Sequence, residues 1–576
     1  MKYSIKNEEL RITDFGVRNG GVAHTENLRL FANGSLAPRG RRSIVRALTD
    51  GQGLCGDDTL AYVDNGKLYY GGMEISGLYL TSGEKTVLKV GNFIVIFPDE
   101  MYLNLENYAN YGSLNGSYFT YGSHITVTDF NGNLLNYNVV TELPEDASEG
   151  AYCALQSASG ELTMKRKYKN GWYDAESYIR IDAGGIGTPF RNGDTVYCTG
   201  LQNVVGSYFK IAKKTTNWLL IEGIMAMNGF STGSVRLTRN VPSFDYVTVS
   251  GGRLFGVRRG ADKNGALVCR MYGSCVGDPF NFAPEAGGLV MDIDINGMFT
   301  GICDYLGSPV AFTENEIIEA RIKNGALIGT VIDGYGVENG ACGSISQSDG
   351  VLYYKSRMGA CRYDGSYPEC ISEGIRELEG SGKGSVGIVR DGEYHINITD
   401  SESKEAIFVY NIKKKTWCKD SGCGVKSFAL CKGNIYAICS DGDIQALVLL
   451  DYDRANGEER LYLTDDDNPT PEVGVEWSLK TEEIGSGSFS SVCPVRVTLD
   501  MKKGEGSAVR VGIQYDGEES EQNTVLVTGA VDGAAEIPMP IRRCGRFALT
   551  VSGVGDAIIR GMLIEYRSGG VARAWK

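Results

Sequence analysis

A short phrase recurs down this chain: a turn residue, a glycine, then a strand of apolar and aromatic residues. It reads Asn65-Gly66-Lys67-Leu68-Tyr69-Tyr70, then Gly252-Arg253-Leu254-Phe255, then Asp349-Gly350-Val351-Leu352-Tyr353-Tyr354, then Lys432-Gly433-Asn434-Ile435-Tyr436. Looser copies stand at Gly91-Asn92-Phe93-Ile94, Gly307-Ser308-Pro309-Val310 and Asp391-Gly392-Glu393-Tyr394. From Gly307 the glycines step to 350, 392 and 433, at intervals of 43, 42 and 41. Four short strands with their turns consume about 40–45 residues, the period of one propeller blade. The glycine supplies the positive φ that a tight hairpin needs. The phrase therefore predicts an all-β chain built on a propeller of six or seven blades. The first two copies are only 25 residues apart, so one unit should be incomplete. An N-terminal strand is expected to complete the last blade, which removes an open sheet edge.

Composition agrees with an all-β reading. Glycine (77) and tyrosine (32) are abundant, and period-2 runs such as Tyr394/Ile396/Ile398 and Phe408/Tyr410/Ile412 put alternate side chains on one face. The 576 residues exceed one ordinary core, so two to four domains are expected. A net charge of −14 argues against a general nucleic-acid-binding surface, which needs positive potential. The exception is a basic knot, Arg39, Arg41, Arg42 and Arg46. It reads either as a solvated loop or as a contact to an acidic partner or phosphate. The 15 cysteines include no CxxC pair, and several sit in apolar strands, as buried thiols made in a reducing compartment would. The N-terminus carries no apolar signal core, and no run of 18 apolar residues predicts a membrane span.

The repeat also divides the chain. Residues 1–50 form an N-terminal segment with few clear strands, and 51–114 carry the first part of the propeller. The gap of 161 residues between Gly91 and Gly252 exceeds one blade by roughly 120 residues, enough for an inserted domain. Short alternating strands over Pro189–Tyr197, Ser207–Ile211 and Asn217–Ile221 make residues 115–240 read as a β-barrel. The rest of the propeller is expected over 241–463. An acidic, proline-broken linker follows at 464–472, and a separate β-sandwich with Trp477 and Phe547 in its core over 473–576.

Several motifs could carry chemistry. Asp292-Ile293-Asp294-Ile295-Asn296-Gly297 opens like a calcium loop, but position twelve would be Cys303 and its flanks are β. A strand with both isoleucines inward and a turn at Asn296-Gly297 is the competing reading. Cys418, Cys423, Cys431 and Cys439 lack the short ligand pairs of a zinc site and read as thiols packed in neighbouring strands. With only His24, His124 and His395 in the chain, and no G-x-S-x-G, P-loop or H-E-x-x-H, an enzyme is not expected. Mid-strand His395 reads as structural. Tyr102, Tyr108 and Tyr111 lie in a tyrosine-rich stretch that could offer stacking platforms to sugars or proteins, or simply pack edge strands.

Three segments together resemble virion propeller proteins of tailed bacteriophages, the group that includes the tail hub, or nozzle, and head–tail stabilisation proteins of short-tailed phages. They are Phe15–Gly21 with Glu26–Gly40; Gly277-Asp278-Pro279-Phe280-Asn281-Phe282 with Phe312-Thr313-Glu314-Asn315-Glu316-Ile317; and Ile537–Phe547 with Ile564–Gly570. The resemblance implies a structural tail component that forms a ring of identical subunits, binds other virion proteins such as a tail adaptor or fibres, and holds no cofactor or metal. It implies assembly in the bacterial cytoplasm, a final place in the virion, and passage of DNA without specific binding. The arginine knot becomes a candidate contact with an acidic neighbour. The alternative is a propeller that recognises or acts on glycans, because the fold hosts both.

Overall fold

The computed structural model describes residues 6–571 apart from 13–21, 32, 202–203, 205–206, 228–229, 262–264, 400–404, 442–443, 454–469, 486–489 and 519–521. Phe15–Gly21 and most of the 464–472 linker lie outside the described residues. Among the described residues the structure is all-β: many small sheets, three short 3₁₀ turns and no α-helix. The chain divides into two compact units.

The first unit comprises Met1–Val87, Phe312–Ile317 and Asp333–Lys576. It contains four meanders of four strands, the third of which continues through Val22–Glu26 into a ten-stranded sheet. One runs Gly51–Cys55, Ala61–Asp64, Lys67–Tyr70 and Met73–Tyr79. A second runs Ser346–Ser348, Val351–Ser356, Gly359–Tyr363 and Glu369–Cys370, and a third Val386–Arg390, Glu393–Thr399, Glu405–Asn411 and Thr416–Asp420. The fourth takes Gly424–Cys431, Asn434–Asp441 and Ile444–Leu449 from one stretch of chain. Its fourth strand is Ser43–Leu48, paired antiparallel with Ile444–Leu449. The sheets pack face to face through apolar side chains. Tyr353, Tyr394, Ile396, Phe408 and Trp417 fill one interface, Ile407, Val409, Val425, Ile435 and Val448 the next, and Val45, Leu60, Tyr62, Tyr436 and Ile438 a third.

The second unit, Leu88–Ala311 and Ile318–Ile332, repeats the pattern. Its meanders begin at Thr86–Val90, Tyr246–Ser250 and Gly301–Tyr305. Between the first and second of these, residues 116–239 form two further sheets. One has eight strands, from Gly116–Thr120 and Val235–Arg239 through Thr195–Thr199, Tyr208–Lys214, Trp218–Glu222 and Tyr178–Asp182 to Ser123–Thr128 and Phe230–Thr232. These strands turn Ile125, Val127, Ile179, Val196, Ile211, Ile221 and Leu237 into one core. The other sheet has four strands, Tyr137–Val140 to Gly171–Asp174, and contributes Met164 to the same core.

The glycine phrase has the predicted geometry. Asn65 and Gly66 lie at φ 48° and 72°, Asp349 and Gly350 at 49° and 76°, Lys432 and Gly433 at 47° and 80°. Two successive left-handed residues define the type I′ turn, whose twist matches that of the strands it joins. In six of the seven meanders the phrase joins the first strand to the second. At Asn65-Gly66 it joins the second to the third. That shift, and not a missing strand, explains the 25-residue spacing: the first meander has all four strands.

The N-terminal segment differs from its reading as strand-poor. Lys6–Ile12 pairs with Ala557–Val571, Val22–Glu26 with Glu476–Thr481, and Leu36–Pro38 also reaches Ala557–Val571. Leu28, Leu30 and Leu36 share a core with Trp477, Val497, Val511, Phe547 and Ile564. The C-terminal sheets are therefore completed by N-terminal strands, and Trp477 and Phe547 are buried as expected. The Trp477 ring leaves no room at Gly553, where a Cβ would lie 2.4 Å from it, and its Nε1 donates to Gly555 O at 3.1 Å. Short alternation conceals these N-terminal strands in the sequence because each pairs with a partner more than 400 residues away.

His395 illustrates the cost of burial in these meanders. It is buried near Arg29, Asp420 and Asp451; desolvation, helped by Arg29, lowers its pKa to about 4. The unfolded imidazole, with a pKa near ~6.5, binds a proton that the folded one refuses. Stability should therefore be full above about pH 6.5 and fall as pH drops toward 4, by up to about 3 kcal/mol. Denaturant melts across pH 4–7 should show this slope, and His395→Gln should flatten it.

Candidate functional site

The second unit holds a cluster of charge and aromatic rings where the inserted sheets meet the meander of Tyr246–Ser250, Arg253–Ala261, Leu267–Gly273 and Leu289–Asp292. Its sequence origin is simple. Along Val235-Arg236-Leu237-Thr238-Arg239 the inward positions are Val235, Leu237 and Arg239, so a guanidinium is forced into the core side of a strand. A buried charge must be paired. Asp194, with no solvent exposure, accepts from Arg239 Nη1, from Arg191 Nη2 at 3.3 Å and from the Arg191 backbone N–H at 2.7 Å. Arg239 also donates to Leu114 O at 3.0 Å. Burial lowers the Arg239 pKa against the pull of Asp194.

The Gly277–Phe282 segment supplies the other half. Arg191 Nη2 donates to Asp278 Oδ1 at 2.8 Å, and the Arg191 guanidinium lies 3.4 Å above the Phe280 ring. Tyr102 and Phe93 meet the same ring edge to face, at 4.8 and 5.2 Å between centroids. Asn281 Oδ1 accepts the Thr195 N–H at 2.9 Å, so one loop of the meander is tied to one strand of the inserted sheets.

Two cavities flank this clamp. The first, about 480 Å³, is lined by Tyr102, Asn110, Asn115, Arg191, Asn192 and Lys214 among others. The second, about 330 Å³, opens beside Tyr197, Tyr208, Asn240, Pro242, Tyr272 and Val290. Tyr197 and Tyr208 face each other across paired strands with centroids 5.1 Å apart, and each ring is nearly half exposed. This second groove has the chemistry of a stacking surface: two accessible rings with amide and hydroxyl groups beside them.

The tyrosines singled out in the sequence divide. Tyr102 is a partly buried member of the clamp and donates to Asn110 Oδ1 at 2.8 Å; Tyr108 is exposed. Tyr197, Tyr208, Arg191, Asp194 and Arg239 were not read as site residues. The inward charge at Arg239 was the available signal.

Elsewhere, the arginine knot meets acceptors of its own chain. Arg39 pairs Glu472 through both Nη atoms (2.8 and 3.1 Å) and donates from Nε to Asn27 Oδ1. Arg42 donates to Ser421 O at 2.9 Å, and Arg46 to Tyr62 Oη at 2.5 Å while lying over Tyr69. Arg41 pairs Asp453 on the surface, where more than a third of it stays exposed. Asp292 is engaged by Arg270, which holds its carboxyl below the usual range, and Asp294 is exposed. Of Cys418, Cys423, Cys431 and Cys439, only Cys423 and Cys439 come together; Cys431 packs in a different cluster.

No family model matches the sequence, and no curated protein matches it. Among solved structures, the crystal structure of an exo-β-1,3-galactanase from Phanerochaete chrysosporium with galactose aligns with 76% of this chain and 98% of its own, at 10% identity and a TM-score of 0.17. A likeness of that size carries no argument about fold or activity. The matched protein is nevertheless an enzyme, and the expectation that this chain is not one is corrected on that finding and is not carried further.

Removing Asp194 would leave Arg239 buried without its carboxylate. Asp194→Asn should cost about 3–5 kcal/mol, the range for stranding one member of a buried ion pair. Hydrogen exchange should show the loss as reduced protection over residues 116–239, with the meanders of the first unit unaffected.

Proposed function

We propose that the seven meanders are blades of a seven-bladed β-propeller, with residues 115–240 as an inserted β-barrel and the C-terminal strands as a β-sandwich. We propose further that this body is a multi-copy structural component of a phage tail, at the hub, nozzle or head–tail connector, forming a ring and binding other virion proteins. The observation that carries the reading is the fourth strand of the last meander. Ser43–Leu48 closes a sheet whose other strands end at Leu449, and Thr470–Pro471 then covers its outer edge. A body pinned in this way suits a load-bearing platform. The resemblance to virion propeller proteins supports the same reading. Its middle segments occupy structural positions: Asp278 and Phe280 in the clamp, Thr313–Glu316 at a turn where Thr313 Oγ1 donates to Glu316 at 3.4 Å.

Neighbours have surfaces to meet. Tyr121, Tyr168 and Tyr173 of the inserted segment are more than half exposed, and Arg41 keeps exposed area for a carboxylate. The net charge of −14 suits a wall past which DNA moves without being held. Mass measurement of native particles, with cross-linking to identify neighbours, should find this chain as a ring contacting other virion proteins. Arg41→Glu should weaken that assembly with the monomer still folded. A chain found only as a monomer, absent from any particle, would overturn the reading.

The Tyr197–Tyr208 groove favours a second reading, recognition of a glycan by stacking on exposed rings. Under it, Tyr197→Ala with Tyr208→Ala should abolish retention on an immobilised glycan array while leaving the ring assembly intact.

A further inference from the structure

Fifteen cysteines are free thiols in this structure, and in one buried pair the two sulfurs touch. Cys423 precedes the strand Gly424–Cys431. Cys439 lies in the paired strand Asn434–Asp441, opposite Val425. Their Sγ atoms are 2.6 Å apart, about half an ångström beyond the ~2.05 Å of a disulfide bond. Both side chains are buried among Ile407, Val409, Val425, Ile435 and Ala437, so the rigid sheet holds the sulfurs against each other. We infer that Cys423 and Cys439 form a modification site, an internal disulfide made when the folded chain meets a small peroxide.

The surroundings prepare one sulfur as the nucleophile. The Cys439 thiol beside it, and then the Arg42 and Arg39 guanidinium groups, pull the Cys423 pKa down, whereas the Cys439 pKa is raised. The thiolate is the attacking form of cysteine. In the reaction, Cys423 thiolate attacks one oxygen of hydrogen peroxide. The O–O bond breaks, hydroxide leaves and takes up a proton as water, and Cys423 becomes a sulfenic acid. Cys439 sulfur then displaces the hydroxyl group of that sulfenic acid, forming the S–S bond. The departing hydroxide takes the Cys439 proton. Two thiols and one peroxide give one disulfide and two waters. The pair closes a loop within the first hairpin of the last meander, beside Arg42 at the start of its closing strand.

The test uses the full chain in its folded state. It is treated with hydrogen peroxide, denatured, alkylated with iodoacetamide and mapped by mass spectrometry. The expected product is a Cys423 peptide joined to a Cys439 peptide, two hydrogens lighter than their sum and separated by dithiothreitol. The oxidised chain should melt a few degrees higher, reversibly on reduction. In Cys439→Ser, Cys423 should stop at a sulfenic acid that dimedone traps. The wild-type map decides the matter alone if that variant does not fold. Recovery of both cysteines alkylated after peroxide, of Cys423 as sulfinic acid, or of a disulfide only at the opposed pair Cys361 and Cys370, would overturn the inference.

Discussion

One strand pairing organises the first unit. Ser43–Leu48 lies against Ile444–Leu449, joining stretches of chain about 400 residues apart. Without it, Ile444–Leu449 would be an edge with a full row of unpaired N–H and C=O groups, a template for aggregation. The strand is held at its entry by charge. Arg39 and the Arg42 backbone N–H both reach Glu472, whose carboxyl burial would raise but whose arginine partners hold it low. Gly40 lies tight against Asp451, where a Cβ would come within 2.7 Å of Oδ1. Beyond the strand, Pro471 opposes Ser43; having no N–H, it ends the sheet.

Buried arginine–carboxylate pairs recur where different stretches of chain must meet. Arg29 donates to both carboxylate oxygens of Asp420, tying an N-terminal strand to the end of a meander. Arg239 and Asp194 do the same inside the second unit. Such pairs contribute little net stability, since desolvation offsets most of the attraction. Their effect is on alternatives: a mispaired strand would strand a charge in an apolar layer. In a chain of repeated four-strand meanders, apolar packing alone discriminates poorly between copies. A single obligatory ion pair can fix which strand goes where.

Repetition is why much of this architecture was legible. The type I′ turns place a left-handed residue before a glycine, and where that residue is polar, as at Asp349-Gly350 and Lys432-Gly433, they advertise a hairpin from local residues alone. The break in the period likewise set residues 115–240 apart, and Gly116–Arg239 carry sheets of their own. What local residues cannot reveal is a partner distant in sequence. Leu28, Leu30 and Leu36 give no sign of the sheet formed by Ala557–Val571 and Ser490–Lys503, and the N-terminal region read as strand-poor. The arginine knot shows the same limit. Four clustered charges look like a surface, and only the fold brings Glu472, Asp453, Ser421 and Tyr62 to meet them. The clamp was not read from the sequence: Arg239 is a charge at an inward position of its strand, and only the fold brings Asp194 and Phe280 to meet it.

These features constrain where new function can arise. The faces of the meanders are consumed by packing against each other, and the outer edge of the last is closed by its own chain. A substitution on those faces changes stability before it changes specificity. The residues of 116–239 differ: they bury one core, are clamped at Phe280, and leave Tyr121, Tyr168, Tyr173, Tyr197 and Tyr208 exposed. Exposed tyrosines lose little side-chain entropy on contact and offer both a ring and a hydroxyl, which suits recognition. Positioned by a rigid attachment and free on their outer surface, these strands can vary their contacts without disturbing the repeat that carries them.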